Sequence, residues 1–191
     1  MRIPTTGLVI LALSGALLAA HTATSAADAA VVTAPAEAKA QPGRTIAAGA
    51  DAAAARIQNS PRHAEWAMIP TAAGSRDSIA AWVVYPEVNR NAPVVVVIHE
   101  IFGLSTWVRA VADQLAAEGY IAIAPDLLSM ERGGATTDSL AYDQARTLIR
   151  NVTPEKMNAM VRAVATYGMS LPAATRRYGV VGYCWGGTAS F

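Results

Sequence analysis

Six consecutive residues, Pro93-Val94-Val95-Val96-Val97-Ile98, carry no charged or hydrogen-bonding side chain. β-Branched residues favour extended backbone, and a strand sends alternate side chains to opposite faces. A strand without a polar face must be covered on both sides, which suits the centre of a sheet between two helical layers. Tyr120-Ile121-Ala122-Ile123-Ala124 repeats the pattern and ends at Pro125. Between the two runs, Thr106 to Glu118 places Val108, Val111, Ala112 and Leu115 at helical spacing, with Gly119 where a C-terminal cap belongs.

The same reading extends to both sides. Glu65–Ile69 and Ile79–Tyr85 are short apolar runs separated by Pro70-Thr71-Ala72-Ala73-Gly74, and they predict a hairpin. A polar loop is expected over Ser129–Asp138, followed by helical stretches over Ser139–Arg150 and Pro154–Tyr167, the latter opened by a Thr153 cap and a first-turn proline. The last strand is expected at Tyr178–Gly182. Strands alternating with helices imply an α/β fold, with a mostly parallel sheet, helices on both faces and right-handed crossovers.

Residues 62–191 are expected to form this domain. Residues 1–26 have the layout of a signal peptide: Arg2, then the uncharged apolar run Gly7–Ala20, then small residues that permit cleavage after Ala26 or Ala29. The run is short for a membrane span, so no stable membrane insertion is expected after cleavage, and the address is periplasmic or secreted. Residues 27–61, rich in Ala and Pro, predict a flexible tether with a short helix near Ala50–Ile57. Fifteen Lys and Arg against fourteen Asp and Glu leave a formal charge of +1, which gives no electrostatic reason to expect a nucleic-acid partner. The single cysteine excludes an intrachain disulfide and a multi-cysteine metal site.

That cysteine, Cys184, stands in Gly182-Tyr183-Cys184-Trp185-Gly186, directly after a predicted strand and before a predicted helix. This is the nucleophile-elbow spacing, with sulfur where a hydroxyl is usual. A sharp strand-to-helix turn strains the central residue and brings the flanking positions together, so only glycine fits at both. A thiolate at such a helix start meets the positive end of the dipole and unpaired amides. At the carboxyl end of the Val-rich strand, where α/β sheets gather functional groups, stands His99-Glu100-Ile101-Phe102-Gly103. Glu100 is the candidate proton acceptor for the thiol, and the Ile101 and Trp185 backbone N–H groups are the candidate oxyanion donors. Position 103 is Gly, so His99-Glu100 is not a zinc motif. His99 reads as a residue that holds loop structure, and Asp126 as a turn or capping carboxylate.

Together, VVVVIHEIFGLSTWVRAVADQLAAEGYIAIAPDLL and VVGYCWGG resemble the dienelactone hydrolase (carboxymethylenebutenolidase) family of α/β-hydrolases, over about Arg62 to Phe191. The resemblance implies hydrolysis of small-molecule esters or lactones through an acyl-enzyme, without cofactor or metal. It also implies Cys184 as nucleophile, Glu100 as the carboxylate that hydrogen-bonds and activates it, and Ile101 and Trp185 as oxyanion donors. The arginine that such proteins hold out to a substrate carboxylate aligns near Tyr142, with Arg146 close but off register. In this fold the triad acid and histidine follow the nucleophile, and no Asp or His follows Cys184. The expectation is therefore a fold incomplete at its C-terminus, a fragment inactive by itself. The competing reading is a catalytically silent, exported binding protein of the same fold.

Overall fold

A computed structural model describes residues 49–190. The expected signal peptide, and the tether as far as residue 48, lie outside them. Five strands form one sheet in the order β1-β2-β4-β3-β5: β1 (Ala64–Pro70), β2 (Ser78–Val84), β3 (Ala92–Ile98), β4 (Ile121–Pro125) and β5 (Ala174–Gly182). β1 and β2 form the expected antiparallel hairpin, with Trp66 opposite Trp82. β2 is also antiparallel to β4, whereas β3 runs parallel to both β4 and β5. Only β2 among the described strands is therefore reversed.

The two apolar runs are buried as their composition requires. Val94, Val96, Val97 and Ile98 of β3 have no exposed surface, and each such side chain contributes roughly 1.5–3 kcal/mol by leaving water. Alternation then divides the sheet into unlike faces. Val94, Val96, Ile98, Ile121 and Ile123 pack beneath α5 (Pro154–Ser170) and α4 (Tyr142–Asn151). Val97, Ala122 and Ala124 face α2 (Thr106–Ala117), which buries Val108, Val111, Ala112 and Ala116 against them. Small side chains on that face let the α2 axis come close. Both helices start as their sequences require: Ser105 Oγ accepts from the Val108 N–H, and Thr153 Oγ1 from the Lys156 N–H.

Three stretches differ from the sequence reading, the first being β5, which begins at Ala174 and not at the expected Tyr178. α1 (Ala50–Gln58) belongs to the fold and is no part of a free tether, since Ala53 is fully buried and α1 packs on α2. Alanine gives little apolar–polar contrast, so periodicity did not reveal the buried face. Within the expected loop, Ser129–Arg132 makes one helical turn, α3, ended by Gly133.

The topology locates a cleft. The chain leaves the carboxyl end of β3 towards α2 on one face, and leaves β5 through α6 (Trp185–Ala189), whose Trp185 and Ala189 pack on the other. Adjacent strand ends that feed opposite faces form the crevice where open α/β sheets bind ligands. Cys184 and Glu100 stand at those two ends.

Candidate active site

At the β5 tip, the Tyr183 N–H donates to the Ile98 carbonyl at 3.1 Å, so the pairing persists one residue past the strand. The chain then turns at Cys184, with φ 53° and ψ −113°, the single non-glycine residue of positive φ among the described residues. The flanking glycines are sterically required. A Cβ on Gly186 would stand 2.5 Å from the carbonyl oxygens of both Ile98 and His99, and one on Gly182 would overlap the Gly186 carbonyl. The elbow is thus pressed against the end of β3, and the Cys184 thiol is exposed.

The β3 tip is organised by side chains. His99 is fully buried. Its Nε2 accepts from the Leu127 N–H at 3.0 Å, and its Nδ1 lies 2.5 Å from the Glu100 carbonyl oxygen, to which it donates. Burial pushes its pKa below the ordinary 6.5, which keeps the ring neutral. The Trp185 ring stacks on it at 5.6 Å. With both nitrogens engaged, His99 ties β3 to the loop after β4 and is not free to act as a base. Asp126, also fully buried, accepts from the Leu128 and Thr136 N–H groups, which makes it a turn-holding carboxylate.

Glu100 is half-buried, and desolvation raises its pKa against the opposing pull of the Phe102 N–H. That N–H donates to Oε2 at 2.7 Å. Among the described residues no hydrogen bond joins Glu100 to Cys184, contrary to the expected pairing. The turn that folds the Phe102 amide back onto the carboxylate, two residues away, offers a nearer partner than the thiol. Thiol and carboxylate nevertheless line one open cleft of about 690 Å³, with Ile101, Phe102, Ser105, Thr106, Trp107, Asp138, Leu140 and Ala50. Neither the Ile101 nor the Trp185 N–H donates a hydrogen bond among the described residues.

Several cleft residues were not found from the sequence, among them Phe102, Asp138 and Ala50. Phe102 holds the carboxylate through its backbone, which no residue type signals. Asp138 accepts from the Thr106 N–H at 2.6 Å; desolvation opposes its ionisation, yet the Thr106 hydrogen bonds hold its carboxyl below the ordinary range. Ala50 arrives with α1. Arg146 is exposed and lies over the Tyr142 ring at 5.6 Å, and that ring is 6.2 Å from Phe102. The arginine therefore stands beside a ring that touches the cleft wall but does not line the cleft.

The chain is 31% identical over 114 residues to a provisionally named carboxymethylenebutenolidase of Synechocystis sp., covering 57% of this chain and 46% of the relative. It is 32% identical over 103 residues to the carboxymethylenebutenolidase of Pseudomonas putida, covering 52% and 44%. The chain thus spans less than half the length of these curated relatives. Among solved structures, one from Klebsiella pneumoniae bearing a provisional dienelactone hydrolase name superposes with a TM-score of 0.55 at 28% identity, covering 65% of this chain and 51% of that one. The dienelactone hydrolase-like promiscuous phosphotriesterase P91, from metagenomic libraries, shares the fold with a TM-score of 0.57 at 19% identity, covering 68% and 52%. The family model for the dienelactone hydrolase family matches residues 79–191, from β2 through the elbow, and the chain belongs to that family.

Proposed function

We propose that the chain carries the nucleophilic half of a hydrolase of small-molecule esters or lactones. The observation that carries this reading is the cleft itself, in which an exposed thiol held at positive φ and a half-buried carboxylate line one space. Sulfur attacks the acyl carbon while the thiol proton passes to Glu100, which leaves Phe102 to accept it. The negative charge that develops on the carbonyl oxygen is met by the Ile101 and Trp185 N–H groups. When the carbonyl re-forms, the C–O bond breaks, the leaving oxygen takes the proton back from Glu100, and a thioester remains on Cys184. A raised carboxyl pKa suits this exchange, because it makes Glu100 a better proton acceptor.

Release of the acyl group requires water to be activated at the thioester. His99 cannot do this while both its nitrogens hold backbone groups. Residues 1–191 should therefore release one equivalent of nitrophenolate from p-nitrophenyl acetate and gain one acetyl group on Cys184, with no steady turnover. The burst should vanish in Cys184→Ala. It should slow by about 100-fold in Glu100→Gln, and in the parent chain it should slow as pH falls through the raised pKa of Glu100. A burst that survives Cys184→Ala, or an unacylated Cys184, would sink the proposal and favour a silent binding protein. Sustained turnover would show that a base exists within the chain. Export belongs to the same reading: N-terminal sequencing of protein recovered from the periplasm of a bacterial host should begin at Ala27 or Ala30.

A further inference from the structure

We infer that α1 is a wall of the cleft that limits the size of the group admitted to Cys184, and that Asp113 of α2 is the positioning residue that holds this wall in place; the inference rests on the cleft being a substrate site. Ala50, the first residue of α1, lines the cleft together with Cys184 and Glu100. Eight residues further on the helix ends, and just before and after that end stand Arg56 and Arg62.

Both guanidinium groups converge on one carboxylate. Asp113, 3% exposed, forms an ion pair with Arg56, whose Nε lies 3.0 Å from Oδ2 without hydrogen-bond geometry, and accepts a bidentate fork from Arg62, Nε to Oδ1 and Nη2 to Oδ2, each at 2.8 Å. Ser60 Oγ donates to the same Oδ1. Desolvation opposes ionisation of Asp113, but the Arg62 and Ser60 hydrogen bonds and the two positive charges outweigh it and hold the carboxyl below its ordinary range. A bidentate fork fixes orientation as well as distance. The buried contact of Ala53 supplies the second point of attachment. Two points along its length define where a rigid helix puts its first residue, so a charge cluster at one end of α1 sets the width of the cleft at the other. Alanine at position 50 leaves that entrance open, and a larger side chain there would narrow it.

Cys184 is the only cysteine in the chain, so its alkylation can be read without interference. The full chain is treated with iodoacetamide and with N-(1-pyrenyl)maleimide, and the ratio of the two rates is the readout. Ala50→Trp should lower the pyrene rate relative to iodoacetamide by about tenfold, as expected where added bulk cannot be accommodated. Ala52→Trp, an exposed site on another face of α1, should leave the ratio unchanged. Asp113→Asn should move it the other way, favouring the pyrene reagent. Arg56→Ala should do the same more weakly, which covers the case in which the Asp113 variant fails to fold. A ratio in Ala50→Trp equal to that of the parent overturns the wall. A parent-like ratio in a folded Asp113→Asn or in Arg56→Ala overturns the positioning role. Alkylation needs no turnover, so a chain inert towards esters can pass this test, and a chain that hydrolyses them can fail it.

Discussion

The tips of β3 and β5 lie side by side and present the two halves of the cleft, yet they are built differently. The β5 tip is a backbone construction: positive φ at Cys184, and glycines where any Cβ would strike a carbonyl. The β3 tip is a side-chain construction, in which His99 fills the interior and spends both nitrogens on backbone groups, while Glu100 beside it is held by one amide and faces the cleft. Backbone geometry tolerates almost no change of size. A hydrogen-bonded side chain tolerates shape changes but not the loss of its polar atoms. The tip that carries the nucleophile is therefore rigid, and the tip that carries the carboxylate has one replaceable partner.

The hardest test of this contrast is Gly186→Val. Its Cβ alone falls 2.5 Å from two carbonyl oxygens of β3, and the methyl groups have nowhere to go. A loss of about 3 kcal/mol or more is expected, read as a lowered urea midpoint or as failure to fold. A variant of parental stability would mean that the elbow is not pressed against β3.

At the other tip, His99→Phe keeps a flat ring, though a larger one, and removes the acceptor for the Leu127 N–H. Leaving that buried donor unpaired should cost about 2 kcal/mol. The pH dependence has a definite sign. The folded imidazole has its pKa lowered by burial, so the unfolded chain binds the proton that the folded one refuses. The stability that His99 lends is complete above its ordinary value of 6.5 and drains away as pH falls towards the lowered one. The urea midpoint of the parent should thus drop as pH falls below 6.5, and the drop should shrink in His99→Phe. An equal slope in both proteins would break the account of this tip.

The same contrast explains what the sequence made legible. Strained backbone restricts residue type, so Gly182, Cys184 and Gly186 are recognisable as an elbow from the sequence alone. The Val-rich β3 could be recognised as buried because it has no polar face. Hydrogen-bond partners leave no such mark. That Glu100 rests on the Phe102 amide, and that Leu127 occupies His99, depends on how loops from different strands meet. Ala50 was hidden for another reason: an alanine-rich helix shows no polar side, so its place on α2 is decided by Asp113, far along the chain.

The smallest effect expected has the opposite sign and separates the two tips most cleanly. Cys184 pays for its conformation, because an L side chain at positive φ crowds its own backbone, whereas glycine adopts such angles freely. Its side chain is exposed and buries little, so removing it forfeits almost no packing. Cys184→Gly should therefore raise stability by about 1 kcal/mol while abolishing acylation, and the gain should appear as a higher urea midpoint with an unchanged slope. Glu100→Gly offers no such gain, since Glu100 is not among the residues of positive φ and its carboxylate satisfies an amide. If Cys184→Gly proved destabilising, the thiol would be contributing packing or hydrogen bonding that an exposed nucleophile should lack. Strain held at the one residue with the least structural use is what a site kept for chemistry predicts.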